Sequence, residues 1–378
     1  MSFSGSYRSG EVDFLLTRLP AQEFTSVLEK ERLIQSGQRH YSQMLSPEPV
    51  PSTRYMALFD AACRANNARM AQDCLRLAAL IAARRGYTEA GAEAGADAGD
   101  DEITLVSLAR AGTPVGVVVA RLLREVFGRR AVHYSVSIVR DRGLDCAALR
   151  HILAQGHRPG SIVFVDGWTG KGVIARELAM SVSAFNAVEG TSIDNGLYVL
   201  SDLAGAAACA ASGDDYLIPS SILNATVSGL VSRTVLDERI GPHDFHGCVY
   251  YGDGEFAQHD QSQRFADALV ALAATQAASG LPAAVSLDAR QAGAQSRAYL
   301  ARAMARYDIA DVNLVKPGIG EATRVLLRRV PRLLVLRQPG NPDVAHLQVL
   351  AEEKQVPVEI DPALPYHAVS LIRSALDG

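Results

Sequence analysis

The chain has 378 residues and a mass of 40.3 kDa, more than one ordinary domain needs, so two domains are expected. Its content of 48% hydrophobic and 21% charged residues is typical of soluble globular proteins, and it lacks the run of about eighteen uncharged apolar residues that a membrane span requires. A formal net charge of −4 excludes a protein that is basic throughout and coats nucleic acid.

The N-terminal part of the chain contains three segments of different character. Residues 1–50 show no secretory-signal pattern and end in a proline-rich stretch, so they predict a partly irregular arm. Residues 55–85 carry apolar side chains at helical spacing without glycine or proline, which predicts one or two helices. Residues 88–102 hold six acidic residues among alternating alanine and glycine, and this low complexity predicts a mobile acidic insertion.

Beyond the acidic insertion, strands alternate with helices. Apolar strands are predicted at 103–108, 132–139, 161–165 and 197–200, and each of the first three is followed by a loop and a helical segment. This alternation predicts an α/β fold in which a parallel sheet is flanked by helices, and we assign it to residues 51–282. Ligands of such sheets bind at the carboxyl ends of the strands.

The loop after the third predicted strand has the strongest chemical pattern, DGWTGKG from Asp166 to Gly172. Glycines let backbone N–H groups approach an anion closely, and the following helix N-terminus adds partial positive charge. Lys171 adds a full charge and is one of only four lysines beside thirty-three arginines. The pattern of a Walker P-loop is absent, so we predict a phosphate-binding loop of another kind; a tight turn without a ligand is the alternative.

Two earlier loops also follow predicted strands, and the three together resemble those of type I phosphoribosyltransferases. The segment SLARAGTPVG at 107–116 is similar to the pyrophosphate loop of that family, and RDRG at 140–143 lies where the family has its flexible catalytic loop. The DGWTGKG segment is similar to the family's phosphoribosyl diphosphate (PRPP) loop. The three loops follow one another in the family's order.

The resemblance implies a Mg²⁺-dependent transfer of the phosphoribosyl group from PRPP to an unknown nitrogen nucleophile, a base or an amine. Such a reaction separates a cationic ribosyl ring from an anionic leaving group, so it depends on charge stabilisation. By the resemblance, the catalytic residues are Asp166, Arg140 and Arg142. The residues that bind the phosphates of PRPP are, by the same resemblance, Arg110, Ala111, Gly112, Thr169, Gly170, Lys171 and Gly172.

One position departs from the family's pattern. The family usually has two adjacent acidic residues in its PRPP loop, whereas Gly167 follows Asp166 in this chain. In the family these carboxylates bind the ribose hydroxyls near the developing positive charge. The departure leaves a second interpretation open, in which the protein binds PRPP or a nucleotide as a sensor without turning it over.

The region 201–260 corresponds to the hood that selects the acceptor in the resembling family. It contains an acidic pair and a helix predicted to begin at Pro219, with polar residues among apolar ones. We assign Asp215, Asn224 and Ser228 to the acceptor site; the alternative is that such polar groups bond to the backbone four residues earlier. The motifs DDYLIPS and NATVSGLVSRTVL are similar to those of a bacterial branch from tellurium-resistance and stress operons, which carries a C-terminal Pelota-type domain.

That branch is also named the cysteine protease StiP family, and this name implies a second, different function. A thiol hydrolase needs a thiolate, a histidine that activates it and a group that orients the histidine. Cys248 with His246 is the suggestive pair, and a cysteine hydrolase is kept as an alternative. The nearby His243 does not complete a metal site of known spacing, so no metal held by protein side chains is expected. The five cysteines contain no C-x-x-C and fit free thiols in a reducing cytoplasm.

The C-terminal part, residues 296–378, is predicted to be a smaller α/β domain. Nine basic and three acidic residues lie between 297 and 337, although the chain is acidic overall. The segment VNLVKPGIGEATRVLLRR resembles the turn and helix start with which Pelota and ribosomal kink-turn-binding proteins contact RNA. By that resemblance structured RNA is a partner, and its binding residues are Lys316, Gly318, Gly320, Glu321 and Arg324. The alternative is an arginine-rich helix that joins copies of the chain in a homo-oligomer.

Overall fold

The computed structural model describes residues 2–20, 24–45, 48–84, 102–236, 239–241, 243–283, 285 and 287–373. Its helices are α1 (Val27–Gln35), α2 (Thr53–Ala83), α3 (Gly112–Glu125), α4 (Cys146–Ala154), α5 (Val173–Glu189), α6 (Glu255–Gln258), α7 (Ser262–Ala278), α8 (Ala289–Arg306), α9 (Ile319–Arg328) and α10 (Ala345–Glu353). Its strands are β1 (Asp13–Leu15), β2 (Thr17–Arg18), β3 (Glu102–Ala109), β4 (Arg130–Val139), β5 (Gly143–Leu144), β6 (Ile162–Thr169), β7 (Leu197–Asp202), β8 (Cys209–Ser212), β9 (Gly247–Cys248), β10 (Val315–Pro317), β11 (Pro331–Leu336), β12 (Val358–Ile360) and β13 (Ala368–Ile372). Among these described helices, none combines the length and the apolar character that a membrane crossing needs.

The central sheet has the strand order β1-β4-β3-β6-β7-β8, and every neighbouring pair in this order is parallel. The short β5 is antiparallel to β4 and lies off this path. Helices α2, α3 and α7 share one hydrophobic core with one face of the sheet, and α4 and α5 share a second core with the other face. The prediction of an α/β fold with a parallel sheet between helices is confirmed, whereas its type I phosphoribosyltransferase name stays a prediction.

Helix α2 is a major element of the core because it presents a continuous apolar face. The Ser52 side chain accepts a hydrogen bond from the Tyr55 N–H and caps the start of the helix. Cys74, Leu77 and Ile81 lie three or four residues apart, which places them on one side of the helix, where they are buried. A single long helix therefore accounts for the helical pattern of this segment.

The described part of residues 1–50 is more ordered than the predicted irregular arm. Strand β1 pairs with β4 at the edge of the central sheet, and β2 pairs with β9. Phe14 is fully buried and stacks on Phe3 with 5.4 Å between the ring centroids. Strands of two or three residues are too short to carry a recognisable period, because they gain their order from the strands they join.

The acidic insertion predicted at 88–102 lies outside the described residues except for Glu102, which begins β3. The helix predicted from Pro219 is absent, and 3₁₀ turns form at Pro219–Ser221 and Ala225–Val227. Gly229 and Leu230 follow with φ angles of 78° and 58°, which a right-handed helix cannot accommodate. The polar side chains of this segment therefore point toward different neighbours rather than along one helix face.

The C-terminal unit is a four-stranded sheet in the order β10-β13-β11-β12. Strands β11 and β12 are parallel, and the other two pairs are antiparallel. Val335 and Leu371 are fully buried in a core to which Tyr299 and Ala303 of α8 contribute. The unit has the smaller α/β composition that was predicted, and α8 runs across residue 296, the predicted start of the domain.

Candidate functional site

The loops after β3, β4 and β6 end at the same edge of the central sheet, as the parallel strands require. The C-terminal unit lies over this edge, and the two parts enclose a cavity of about 920 Å³ that we call the cleft. Members of the predicted catalytic, phosphate-binding, acceptor and RNA-binding sets line it: Arg110, Ala111, Arg140, Asp166, Thr169, Gly170, Lys171, Gly172, Asn224, Lys316, Glu321 and Arg324. Sites that were predicted separately from the sequence therefore meet in one place.

Several predicted residues lie outside the lining of the cleft. These are Gly112, Arg142, Asp215, Ser228, Gly318, Gly320, His246 and Cys248. Conversely, four charged residues that line the cleft were assigned no role from the sequence, namely Lys30, Glu48, Arg233 and Asp311. Arg233 belongs to the motif NATVSGLVSRTVL, but only the folded chain reveals that these side chains face the cleft.

Asp166 lies within β6, which continues to Thr169, four residues beyond the predicted end of the strand, and its side chain lines the cleft. Its Oδ1 accepts a hydrogen bond of 2.8 Å from the N–H of Gly167. Burial raises the pKa of Asp166 to about 7, against the opposing effects of that N–H group and of the Arg324 guanidinium. The carboxyl group therefore changes charge near neutral pH.

The turn between β6 and α5 is held by buried polar contacts. The Thr169 hydroxyl donates a hydrogen bond to Asp202, whose carboxylate also accepts the N–H groups of Ala204 and Ala207. Gly172 begins α5 with a φ angle of 70°, and a Cβ at this position would overlap the Cβ of Ala206. The glycine is therefore required by both its backbone conformation and the close neighbouring loop.

Lys171 does not point freely into the cleft as a phosphate-binding residue would. Its ammonium group donates hydrogen bonds of 2.7 Å to the Val312 carbonyl and 2.9 Å to the Val315 carbonyl. Both carbonyls belong to the C-terminal unit. Burial lowers the pKa of Lys171 to about 7, and the nearby Lys316 contributes to the decrease. Lys171 therefore ties the predicted phosphate loop to the C-terminal unit.

The arginines of the other two loops are also engaged with protein groups. Arg110 donates to Glu48 Oε1 at 2.5 Å and to the Val231 carbonyl at 3.0 Å. Arg140 donates to Asn313 Oδ1 at 2.9 Å, across to the C-terminal unit. Arg142 is exposed at the tip of its loop. Of the two predicted catalytic arginines, Arg140 alone lines the cleft.

The C-terminal wall of the cleft comes from β10 and α9. Arg324 pairs with Glu321 at 3.0 Å, and its guanidinium lies 5.4 Å from the centre of the Trp168 ring. Arg328 donates hydrogen bonds to Asn224 and to the Ile222 carbonyl in the hood. Helix α9 thus packs against both the loop after β6 and the hood.

The cleft contains more positive charge than its own carboxylates neutralise. Lys171, Arg233 and Arg328 donate to carbonyl or amide oxygens, which are neutral acceptors. Burial lowers the pKa of Arg233 to about 10 and that of Arg328 to about 9, and neighbouring arginines add to both decreases. Buried cations without anionic partners are costly, so the cleft is suited to an anionic ligand.

The predicted acceptor residues of the hood have different roles. Ser228 donates to the Asn224 carbonyl four residues earlier, as the backbone alternative proposed. The Asn224 side chain lines the cleft and accepts from Arg328. Asp215 is buried and accepts the N–H of Ile319 at 2.7 Å, which joins the hood to the start of α9.

Cys248 and His246 do not form a catalytic pair in this structure. Cys248 is fully buried, and burial raises the pKa of its thiol to about 12. His246 Nδ1 lies 2.8 Å from Ser137 Oγ, and its main-chain N–H donates to Asp145 Oδ2. Within the described ranges, no hydrogen bond joins a cysteine thiol to a histidine ring. Cys146, which begins α4 directly after Asp145, is partly exposed.

A resident metal ion finds no ready set of ligands in the part of the chain that the structure describes. No group of three histidine, cysteine, aspartate or glutamate side chains is arranged there to hold one. The magnesium of the sequence prediction was to be held mainly by PRPP rather than by the protein.

Comparison with known proteins identifies the family. A family model described as "Tellurite-like stress resistance cysteine protease StiP" matches residues 5–270. The chain belongs to this family. The cysteine protease StiP of Acinetobacter baylyi is 40% identical over 389 aligned positions, which cover 100% of this chain and 96% of that protein. A second model, of the Pelota RNA-binding domain, matches residues 294–374, and no solved structure matches.

These findings confirm the StiP family label, the stress-resistance association and the Pelota domain, and they contradict the predicted activity. The family and its Acinetobacter member are named cysteine proteases, so the chain is not assigned as a phosphoribosyltransferase or other glycosyltransferase. The physical reason for the error is that a glycine-rich loop at a strand end favours anions whatever reaction follows. In addition, Lys171, which was predicted to contact phosphate, contacts carbonyls of the C-terminal unit.

Proposed function

We propose that this chain is a cysteine-dependent hydrolase of stress resistance that cleaves a protein or peptide substrate with an acidic segment. The observation that carries the proposal is the 40% identity, along the whole chain, to a protein named as a cysteine protease. The excess positive charge of the cleft supports the acidic character of the substrate. An acidic segment in the cleft would supply carboxylates to Arg233 and Arg328, whose hydrogen bonds within the described part of the chain go to neutral acceptors, and the bond to be cleaved would lie beyond the cleft lining, at the start of α4.

Cys146 is the proposed nucleophile in place of Cys248. Burial raises the pKa of the Cys63 and Cys248 thiols to about 12, and Cys74 is fully buried. Cys146 is partly exposed and is the first residue of α4, where the helix N-terminus favours a thiolate. Burial raises the pKa of Cys146 as well, so a base must assist its ionisation.

His246 is the proposed base: its main-chain N–H donates to Asp145, the residue before Cys146, and its ring would have to turn from Ser137 toward the thiol, which now donates to the Leu144 carbonyl at 3.6 Å. Burial lowers the pKa of His246, which keeps the imidazole neutral and able to accept the thiol proton. The sulfur then bonds to the substrate carbonyl carbon, the amide C–N bond breaks, and the imidazole returns the proton to the leaving amine. Water hydrolyses the resulting thioester and restores the thiol.

The test uses the purified full chain and a peptide library that includes runs of aspartate and glutamate, with cleavage read by mass spectrometry. Replacement of Cys146 by alanine is expected to reduce cleavage at least about a hundred-fold. Cys209→Ala is the matched control, because Cys209 is the other partly exposed thiol outside the helical core. A loss of cleavage in Cys209→Ala alone would identify Cys209 as the nucleophile in place of Cys146. Full cleavage activity in all five single cysteine variants would refute hydrolysis by a thiol.

RNA binding by the C-terminal unit is a second proposed function. It is supported by the match of residues 294–374 to the Pelota RNA-binding domain. The basic residues Lys316, Arg324 and Arg328 lie together on β10 and α9, which suits phosphate contacts. Retention of a labelled RNA hairpin with an internal loop by the full chain at low salt tests this function, and an absence of retention there would contradict it.

A further inference from the structure

Asp215 caps a helix of the other structural unit. Its Oδ1 accepts the N–H of Ile319, the first residue of α9, at 2.7 Å, and its Oδ2 accepts the N–H of His367 at 2.8 Å. Gly318 at the N-cap has no side chain that could serve this purpose. The carboxylate is only 8% exposed, so both oxygens are committed to the interface.

The start of α9 is also the place where the Pelota-type turn was predicted to meet RNA. Free N–H groups at a helix N-terminus carry partial positive charge, and they bind a phosphate or a carboxylate by the same hydrogen bonds. Here the carboxylate of Asp215 holds that position. The turn is covered as well, because a Cβ on Gly318 would lie 2.7 Å from Leu203 and one on Gly320 would lie 3.5 Å from Trp168.

The units are joined both by apolar packing and by further hydrogen bonds: Ile319 and Leu326 of α9 belong to the same buried core as Ile222 of the hood. Lys171 donates to the carbonyls of Val312 and Val315, and the Tyr55 hydroxyl donates to the Leu327 carbonyl at 2.7 Å. Opening the interface therefore breaks these hydrogen bonds and exposes apolar side chains of the shared core, which favours the closed arrangement while no other anion binds α9. A competing anion at α9 would therefore shift the balance toward the open arrangement.

We propose that Asp215 is an internal stand-in for an RNA phosphate, so that closure of the cleft and RNA binding by the C-terminal unit exclude each other. RNA binds the start of α9 only after the Asp215 carboxylate has left it. Binding of RNA therefore opens the cleft, and a closed cleft lowers the affinity for RNA. The proposal rests on the second function proposed above, RNA binding by the Pelota-type unit.

The test compares the full-length wild-type chain with Asp215→Asn and with Asp214→Asn, the adjacent residue, whose exposed carboxylate pairs with Arg69. Affinity is measured by fluorescence anisotropy with a hairpin RNA that has an internal loop, and amide hydrogen exchange is followed for the peptide around Ile319. Asp215→Asn is expected to bind RNA at least about ten-fold more tightly and to exchange faster at Ile319, since the closed state then competes less. Asp214→Asn is expected to match the wild type.

Lys171→Met provides a second route to the open arrangement if Asp215→Asn fails to fold, because it removes two hydrogen bonds between the units. It is also expected to bind RNA more tightly than the wild type. Unchanged RNA affinity in the folded variants would overturn the proposal even if Ile319 exchanged faster. If the wild type binds RNA tightly while the Ile319 amide stays protected from exchange, mutual exclusion is wrong and RNA binding still holds. If none of the proteins binds RNA, both the RNA-binding function and this proposal are wrong.

Discussion

Two side chains of the cleft have pKa values near neutrality because burial shifts the two values in opposite directions. Burial disfavours the carboxylate of Asp166 and raises its pKa to about 7, whereas burial disfavours the ammonium of Lys171 and lowers its pKa to about 7. Each group therefore changes charge in the physiological range. The local charge of the cleft, and with it the attraction for an anion, depends on pH more steeply than a surface site would.

The first prediction concerns Asp166 and the stability of the fold. Its pKa is about 7 in the folded chain against an ordinary value of 3.8, so between pH 4 and pH 7 the folded state holds the extra proton. The free energy of unfolding therefore decreases as pH rises through this window, by at most about 1.4 kcal/mol per pH unit. Asp166→Asn should flatten that decrease in urea titrations, and Asp214→Asn should not. An identical slope in the wild type and Asp166→Asn would contradict the assignment.

The second prediction concerns Lys171 and has the opposite sign. Its pKa falls from 10.5 to about 7 on folding, so between these values the unfolded chain binds more protons. The free energy of unfolding should rise with pH across this window, again by at most about 1.4 kcal/mol per pH unit. Lys171→Met should reduce the rise, part of which remains because burial lowers the pKa of Lys316 as well. Arg373→Met, at an exposed position, is the control. A rise of unchanged slope in Lys171→Met would show that other groups cause it.

At the scale of elements, helix α5 is flanked by two cap glycines in the left-handed region. Gly172 has a φ angle of 70° and lies against Ala206, whereas Gly190 has a φ angle of 66° and open space where a side chain would go. The two ends thus share a backbone conformation and differ in packing. Substitutions at these two glycines therefore distinguish the free-energy cost of a left-handed backbone conformation from the free-energy cost of steric overlap.

The third prediction uses that pair. Gly190→Ala should lower the free energy of unfolding by about 1–2 kcal/mol, the cost of a side chain in the left-handed region. Gly172→Ala should cost about 1–3 kcal/mol more, because its methyl group must displace the loop that carries Ala206. Chemical denaturation of both variants measures the difference. Equal losses would mean that the loop yields freely and does not fix the turn.

Short elements limited the prediction from sequence. The spacing of apolar residues identified β3, β4, β6 and β7 and the helices between them, because each of these elements is long enough to show a strand or helix period. Strand β1, with three residues, has no such period and is defined by its pairing with β4. The helix predicted in the hood is wrong, since Leu230 with its positive φ angle breaks the helical path that its apolar spacing suggested.

At the scale of the whole molecule, the C-terminal unit forms one wall of the cleft. Arg140, Lys171 and Arg328 each cross from one unit to the other through a hydrogen bond. A ligand in the cleft therefore contacts both units, and its binding is coupled to their separation. This coupling would give the proposed hydrolysis and the proposed RNA binding a physical means of influencing each other.

The fourth prediction concerns RNA affinity as a function of salt. Each phosphate neutralised by a lysine or arginine contributes a slope of roughly −0.7 to −0.9 to the logarithm of affinity against the logarithm of salt concentration. Arg324→Glu in the full chain should weaken binding and reduce the slope by about one such contact. Arg373→Glu, at an exposed position outside the basic segment, is the control. Equal slopes in both variants would place the RNA contact elsewhere.

The sequence by itself determined the parallel α/β sheet, the clustering of three loops at one sheet edge and the presence of a C-terminal Pelota-type unit. These features follow from local periodicity and from motifs whose residues are neighbours in the chain. The chemistry at the sheet edge did not follow, because a glycine-rich turn that favours anions is compatible with several reactions. Similarity along the whole chain corrected the predicted transfer reaction to the cysteine protease family.

Only the tertiary structure decided what the individual charged and nucleophilic groups contact. Lys171 donates to carbonyls more than a hundred positions away, Asp215 caps α9 across a similar separation, and Cys248 is enclosed in the core. Burial and partner choice set the pKa of each group, and both arise from contacts between segments that are distant in the chain. No local pattern encodes such contacts, so the roles of these three residues emerge only when the chain has folded.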